Sequence, residues 1–194
     1  MRALVLFAHP LADSFHGALH RAIVDGLRGA GHDVDDCDLY AEGFDPVLDA
    51  ESRRRYFDLA VNRTGIEAYA ERLLAAEVLV LCFPVWCFGP PAILKGFMDR
   101  VMIPGVSFAL DGSGVLRPNL RRIRRLVAVT TYGRDRLAAW WFGDPPRKMV
   151  TRYLRWFVAP DAQVRYLALY DLHKKEGRPQ AAFLAQVGRA MASL

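Results

Sequence analysis

EVLVLCFPVWCFGPPAILKGFMDRV, residues 77–101, is the stretch whose reading decides the fold. Glu77–Phe83 is a short, nearly continuous apolar run, the pattern of a strand buried on both faces of a parallel sheet. Pro84 is expected to end that strand. Gly89 lets the chain turn, and Pro90–Pro91 open a helix over Pro90–Val101, because proline suits a first helical turn. Ile93, Leu94, Phe97 and Met98 fit the core face of that helix. A doubly buried strand followed by an amphipathic helix is the working half of a βαβ unit.

The same alternation extends in both directions. Arg2–Ala8 reads as a first buried strand. Ser14 can cap a helix running through Ala18, Leu19, Ile23, Val24 and Leu27 to a stop near Gly29–Gly31. Val34–Leu39 reads as a second strand. Residues 41–62 form a polar connection with one helical piece, Asp49–Leu59, and Ile66–Ala76 is a helix. Beyond the opening stretch come a fourth strand (Arg125–Thr131), a long amphipathic helix (Pro145–Val158), a fifth strand (Val164–Leu169) and a last helix (Pro179–Ala192). Such alternation demands a parallel sheet with helices on both faces. The expectation is one α/β domain over residues 1–194. It is a flavodoxin-like three-layer sandwich whose five-stranded parallel sheet runs in the order 2-1-3-4-5. Ligands bind such sheets beyond the carboxyl ends of the strands, which directs attention to loops 8–17, 83–91 and 130–144.

Composition removes several function classes. A chain of 194 residues, 53% hydrophobic with 11 Phe, 7 Tyr and 4 Trp, has ample material for a core, so disorder and disulfide-stapled miniproteins fall away. Its three cysteines, Cys37, Cys82 and Cys87, are odd in number and outside any CxxC, and its five histidines are scattered. Neither a disulfide framework nor a metal site is expected. The apolar run Ala3–Ala8 is too short for a signal peptide or a membrane span, so a cytoplasmic protein without membrane insertion is expected. Net charge is +5, with Arg117, Arg121, Arg122, Arg124 and Arg125 close together. That cluster reads as a solvated loop entering a strand, as a modest attraction for an anionic cofactor, or as a nucleic-acid patch. The first is preferred, and no nucleic-acid partner is expected, because the cluster is short and no nucleic-acid module accompanies it.

The three loops carry the chemistry. Loop 8–17, AHPLADSFHG, belongs to neither GxGxxG nor GxxxxGK[ST], so a dinucleotide fingerprint and a P-loop are excluded. It offers His9, Ser14, His16 and a helix N-terminus whose free N–H groups favour a phosphate; the alternative is that Ser14 is only a cap and His9 only a strand-end residue. In the second loop, Trp86 and Phe88 stand directly after a strand end beside backbone amides, which suits a flat ring needing stacking on its face and hydrogen bonds at its edge. In the third, TTYGRD at 130–135, two hydroxyl residues and a glycine can wrap a ring edge, and their amides can stabilise charge there; an ordinary strand-to-helix turn is the plainer reading.

AHPLADSF, FPVWCFGPPAILKGFMDRV and TTYG together resemble the NAD(P)H:quinone reductase family of flavodoxin-like proteins, in the right order along nearly the whole chain. The middle motif, G-x-PAILKG-x-x-[DE]-RV after an aromatic stretch, is the most specific. The resemblance implies a homodimer with one flavin per subunit. Hydride passes from NADH or NADPH to the flavin and then to a quinone or a related electrophile. It implies His9, Asp13, Ser14, Phe15, His16 and Ala18 around the flavin phosphates. Pro84, Val85, Trp86, Cys87 and Phe88 would line the ring, and Thr130, Thr131, Tyr132 and Gly133 would close over its edge. Trp86, Phe88, Phe108 and Tyr132 would shape the acceptor pocket, Phe108 from across the dimer, with Asp99 near the partner's flavin. The His-Pro…Ser-Phe-His loop is more like FAD-binding than FMN-binding members. Relatives of this type also serve as flavin-binding regulatory subunits of potassium-efflux systems, the alternative reading.

Three departures stand out. Well-studied relatives carry a Tyr and a His after their TTGG-like loop, whereas this chain has RDRLAAWWFGDPP, with Ala138 near the Tyr position and no His, so no catalytic side chain is assigned. Cys87 replaces an aromatic beside the ring. Tyr132 replaces the first glycine of the pair, where it would narrow the cavity or supply a hydroxyl.

Overall fold

The structure is a computed structural model describing residues 1–194. Its parallel sheet contains β1 (Arg2–Phe7), β2 (Asp33–Asp38), β3 (Val78–Val85), β6 (Arg125–Tyr132) and β7 (Gln163–Leu169). The spatial order is β2-β1-β3-β6-β7. Counted within the sheet this is the expected 2-1-3-4-5. A small antiparallel hairpin, β4 (Phe108–Leu110) and β5 (Leu116–Pro118), lies outside it.

The unbroken apolar run of β1 is explained by its two faces. Leu4, Leu6 and Ala8 join the larger core layer, and Ala3, Val5 and Phe7 join the smaller one. On the smaller side α1 (Phe15–Gly29) and α8 (Arg178–Ala192) cover the sheet. Leu19, Ile23 and Leu27, one helical turn apart, are fully buried there. Each buried side chain of this size is worth roughly 1.5–3 kcal/mol against exposure. On the larger side lie α3 (Glu67–Ala75), α4 (Ala92–Val101) and a composite helical segment made of α6 (Pro145–Lys148), a π-helical turn (Met149–Leu154) and α7 (Arg155–Phe157).

Several boundaries differ from expectation for identifiable reasons. β3 does not stop at Pro84 but continues through it to Val85. β1 pairs with β3 only as far as Cys82, so the missing N–H of Pro84 costs no ladder bond on that side, while the β6 side continues through Pro84↔Thr131. Helix α4 begins at Ala92, with both prolines ahead of it and Pro91 at the cap. The helical piece expected over 49–59 shrinks to α2 (Ala50–Arg54), because Asp49 caps it but no residue of it is buried. Loop 130–144 contains an unanticipated helix, α5 (Arg136–Trp141).

Of the arginine cluster, Arg124 and Arg125 sit at the end of the sheet opposite the strand-end loops. Arg125 opens β6, and Arg124 pairs with Asp161 and Arg117 with Asp111. Arg121 donates to the Val158 carbonyl. Arg117, by contrast, lies on the small hairpin opposite Ala109. No helix is long and apolar enough to cross a membrane.

Candidate functional site

The loops after β1, β3 and β6 meet at one end of the sheet. In the first, Ser14 is the extended N-cap of α1 and its Oγ accepts from the Gly17 amide at 3.2 Å. The same hydroxyl donates to the Leu11 carbonyl at 2.7 Å and lies 3.1 Å from His9 Nδ1. The Leu11 amide reaches His9 Nδ1 at 3.1 Å. An amide can only donate, so Nδ1 accepts, and neutral His9 carries its proton on Nε2. The amides of Phe15 and His16, the first two of α1, donate to nothing in the chain. Free amides at the positive end of a helix, beside an imidazole N–H, form an anion cradle. The Ala18 amide, by contrast, is used by the helix, donating to the Ser14 carbonyl, and Asp13 is exposed at the loop surface.

His16 forms the floor. It is 3% exposed, and its ring lies parallel to that of His9 at a centroid distance of 5.5 Å. Its Nε2 is buried without a partner, an open hydrogen-bonding position beside the cradle. Burial first, and the proximity of His9 second, lower its pKa from 6.5 to about 4. The unfolded chain therefore binds a proton at His16 between about pH 6.5 and 4 that the folded chain refuses. This contribution to stability is complete above pH 6.5 and is lost as pH falls toward 4. It amounts to about 3 kcal/mol. In His16→Gln, unfolding free energy should fall less steeply over that range. The gap between variant and wild type, measured by urea denaturation of apoprotein at several pH values, should change by ~2–3 kcal/mol; a constant gap would contradict the assignment.

The second loop is a tight two-residue turn. Trp86 and Gly89 exchange hydrogen bonds of 3.0 and 2.8 Å. Cys87 and Phe88 between them both have left-handed backbone, with φ of 49° and 54°, the geometry of a type I′ turn. Non-glycine residues in this conformation cost on the order of 1 kcal/mol or more each, and such strain gathers at functional sites. The amides of Cys87 and Phe88 have no backbone acceptor, so the turn presents two unpaired donors. The Trp86 side chain is 44% exposed and stands 5.9 Å from His9 between ring centroids. Cys87 is the exposed cysteine; Cys37 and Cys82 are buried, and burial pushes both thiols up in pKa.

The third loop supplies a wall. Thr130 and Thr131 are buried, and Thr130 Oγ1 has no partner. Tyr132 is buried too. Its hydroxyl donates to Asp144 Oδ1 at 2.6 Å and is 2.6 Å from the Tyr166 hydroxyl, and its ring stacks on Tyr170 at 4.5 Å. Burial pushes the phenol's pKa well up. The hydroxyl is thus engaged within the protein, and what Tyr132 can offer a ligand is backbone. Two features of this wall escaped the sequence reading. Phe142, just after α5, packs on Phe88 at 4.5 Å, and Trp141 packs edge-on to Phe142. Leu137, Trp141 and Phe142 line a cavity of about 530 Å³. The available signal was local: Asp135 caps α5 by accepting from the Ala138 amide at 2.7 Å, and left-handed Gly143 follows its end. The second feature is His173, whose Nε2 lies 3.4 Å from where a Cβ on Gly133 would stand, bringing an imidazole to the loop from beyond β7.

Asp99 and Phe108 lie elsewhere. They share a cavity of about 270 Å³ with Arg53 and Tyr153, and Asp99 is paired with Lys95 at 2.6 Å. None of the loop residues lines that cavity.

Anion cradle, unpaired turn amides and aromatic wall converge as a flat-ring nucleotide requires. The open positions at His16 Nε2 and Thr130 Oγ1 are the polar atoms such a ligand would satisfy.

Comparison with known proteins agrees with this architecture. A family model described as "Flavodoxin-like fold" matches residues 1–159. A ribosyldihydronicotinamide dehydrogenase [quinone] of Pongo abelii is 35% identical over 153 residues, covering 68% of this chain and 64% of that protein. An NAD(P)H dehydrogenase [quinone] 1 of Rattus norvegicus is 32% identical over 149 residues, covering 68% of this chain and 54% of that one. The chain therefore spans less than two thirds of the length of these relatives. A solved protein of Streptococcus mutans UA159 superposes with a TM-score of 0.87 at 27% identity, covering all of both chains.

Proposed function

We propose, since this chain belongs to the flavodoxin-like fold family, that it is a flavin-dependent oxidoreductase taking hydride from NADH or NADPH and delivering it to a quinone or a related electrophile. One observation carries the reading. An anion cradle at the start of α1 and a left-handed, amide-presenting turn flanked by Trp86 and Phe88 share one end of the sheet. A bound flavin supplies the redox chemistry; the chain supplies position and electrostatics.

In this reading His9 Nε2–H and the Phe15 and His16 amides hold the phosphates, with Asp13, Ser14 and Ala18 shaping the loop around them. Pro84 and Val85 carry β3 up to the ring, and the Cys87 and Phe88 amides donate to its edge. Thr130, Thr131 and the backbones of Tyr132 and Gly133 close the opposite edge. Trp86, Phe88 and Phe142 exclude water and offer a planar acceptor flat surfaces. Hydride transfer needs reacting atoms held roughly 3–3.5 Å apart more than it needs a strong acid, so a site without the relatives' Tyr and His remains competent. We favour FAD over FMN on the His9-Pro10…Ser14-Phe15-His16 loop. We also favour a homodimer, because Asp99 and Phe108 face a cavity apart from their own chain's loops, where they would meet a partner's site.

The test is purification followed by heat release and mass measurement of the pigment, then steady-state oxidation of NADH and NADPH with a benzoquinone acceptor. Yellow protein with about one FAD per chain and quinone-dependent turnover is expected. Colourless protein that neither FAD nor FMN reconstitutes would overturn the reading.

A further inference from the structure

Beside the ring-binding loops, on the far side of α5, lies a second cavity of about 390 Å³, within the size range of small-molecule sites. Its walls carry Arg136, Arg147, Lys148 and Arg152 against one carboxylate, Asp144. None of these four cations makes an ion pair. Asp144 is already occupied, accepting the Tyr132 hydroxyl at 2.6 Å. Arg147 is held in place, its guanidinium 4.9 Å over the Tyr166 ring. Lys148 and Arg152 belong to the composite helical segment, Arg152 on its π-helical turn, an irregularity that recurs at functional sites. A multiply charged anion entering this hollow meets four cations and a single carboxylate that is already engaged, so the local field favours it. The indole of Trp140, 73% exposed at the rim, and the Tyr170 ring give the anion's attached group two flat surfaces.

We propose that this cavity binds the 2′-phosphoadenosine end of NADPH. The inference rests on the proposed oxidoreductase reading and deepens it by choosing the hydride donor. α5 is the shared wall: Trp140 lines this cavity, while Trp141 lines the neighbouring cavity whose Phe142 packs on Phe88. A nicotinamide seated at the Phe88–Phe142 wall thus leads its nucleoside around α5 toward the cations. NADH offers a 2′-hydroxyl where NADPH offers a phosphate dianion, so four unpaired cations discriminate between them by charge, and the two arginines that flank Lys148 add the planar forks that suit phosphate oxygens.

Two measurements on the full chain test this. Calorimetric titration compares adenosine 2′,5′-bisphosphate with adenosine 5′-monophosphate, for wild type and for the double variant Lys148→Gln/Arg152→Gln, both exposed positions whose replacement spares the core. The bisphosphate should bind wild type at least about tenfold more tightly than the monophosphate, and the double variant should lose most of that advantage. In turnover, the double variant should raise the KM for NADPH about tenfold more than that for NADH. Equal binding of the two nucleotides by wild type, an advantage the double variant keeps, or NADPH and NADH constants that move together would each overturn the subsite. The titration needs no turnover. A cation-dependent bisphosphate preference in a protein that oxidises neither nicotinamide would uphold the subsite while the redox reading fails, and quinone-dependent turnover without that preference would do the reverse.

Discussion

Gly17→Ala is expected to abolish flavin retention while leaving most of the fold standing. Gly17 lies in the first turn of α1, and a Cβ there would come within 2.0 Å of the Ala12 carbonyl oxygen and 2.7 Å of its carbon. Both are backbone atoms, so no side-chain rotation relieves the overlap. α1 cannot retreat, because Leu19, Ile23 and Leu27 are fully buried against the sheet. Loop 8–14 must therefore move, although Arg21 also holds the Ala12 carbonyl at 3.1 Å. Moving it separates Ser14 Oγ, the Leu11 amide and His9 Nδ1, the set that aims His9 Nε2–H and the Phe15 and His16 amides at one point. Flavin affinity should fall on the order of a hundredfold, about 2.7 kcal/mol, and apoprotein stability by ~1–3 kcal/mol. Flavin fluorescence titration into apoprotein reads the first and thermal unfolding the second. Gly29→Ala, at the other end of the same helix with nothing within 4 Å of its Cβ position, should leave affinity unchanged and stability equal or up to ~1 kcal/mol higher. Wild-type flavin affinity in Gly17→Ala would remove loop 8–14 from the proposed cradle.

The contrast between these two glycines shows where sequence reasoning stops. The central strands were legible because burial on both faces writes an unbroken apolar run, as in Leu4–Ala8 and Leu79–Phe83. The cap at Ser14 was legible because it is local. α5 was not: Leu137, Trp140 and Trp141 stand at the i, i+3, i+4 spacing of an apolar stripe, but the helix is only six residues long and each of the three is 73% exposed, so no core contact holds it and its length is too short for the pattern to stand out. The role of Tyr132 was also hidden, because its hydroxyl partners Asp144 and Tyr166 lie 12 and 34 residues further along the chain. The anion cavity is a product of the same long-range packing. Arg136, Arg147, Lys148 and Arg152 read along the chain as ordinary surface charges, and only the folding of α5 back against the composite helical segment gathers them around one hollow.

Gly96 carries the second large prediction, and it separates scaffold from site. The glycine belongs to the PAILKG stretch that made the middle motif specific, and it lies within α4, after the turn that presents Cys87 and Phe88. A Cβ at Gly96 would meet both the Cβ and the carbonyl oxygen of Pro46 at 2.3 Å. Its reason is thus packing: the connection after β2 lies directly on the helix. That connection is fixed immediately before the contact. Phe44 is buried edge-on to Tyr69 at 4.9 Å, and Arg100 donates to the Asp45 carbonyl. Pro46 cannot withdraw without undoing both. Gly96→Ala should cost about 3 kcal/mol even after the helix-propensity gain of alanine, seen as a melting temperature lower by roughly 6–12 °C in a chain of this size. The matching control is Gly188→Ala in α8, where nothing lies within 4 Å and a gain of ~0.5–1 kcal/mol is expected. Because Pro46 is remote in sequence from all three loops, the folded fraction of Gly96→Ala should still bind flavin within about threefold of wild type, under ~0.7 kcal/mol. The two substitutions then dissociate: Gly17→Ala loses the cofactor with a modest loss of stability, and Gly96→Ala loses stability with little loss of affinity. A Gly96→Ala protein that melts like wild type would show that the Pro46 contact yields. One that stays folded but binds flavin a hundredfold more weakly would place this glycine in the site rather than the scaffold.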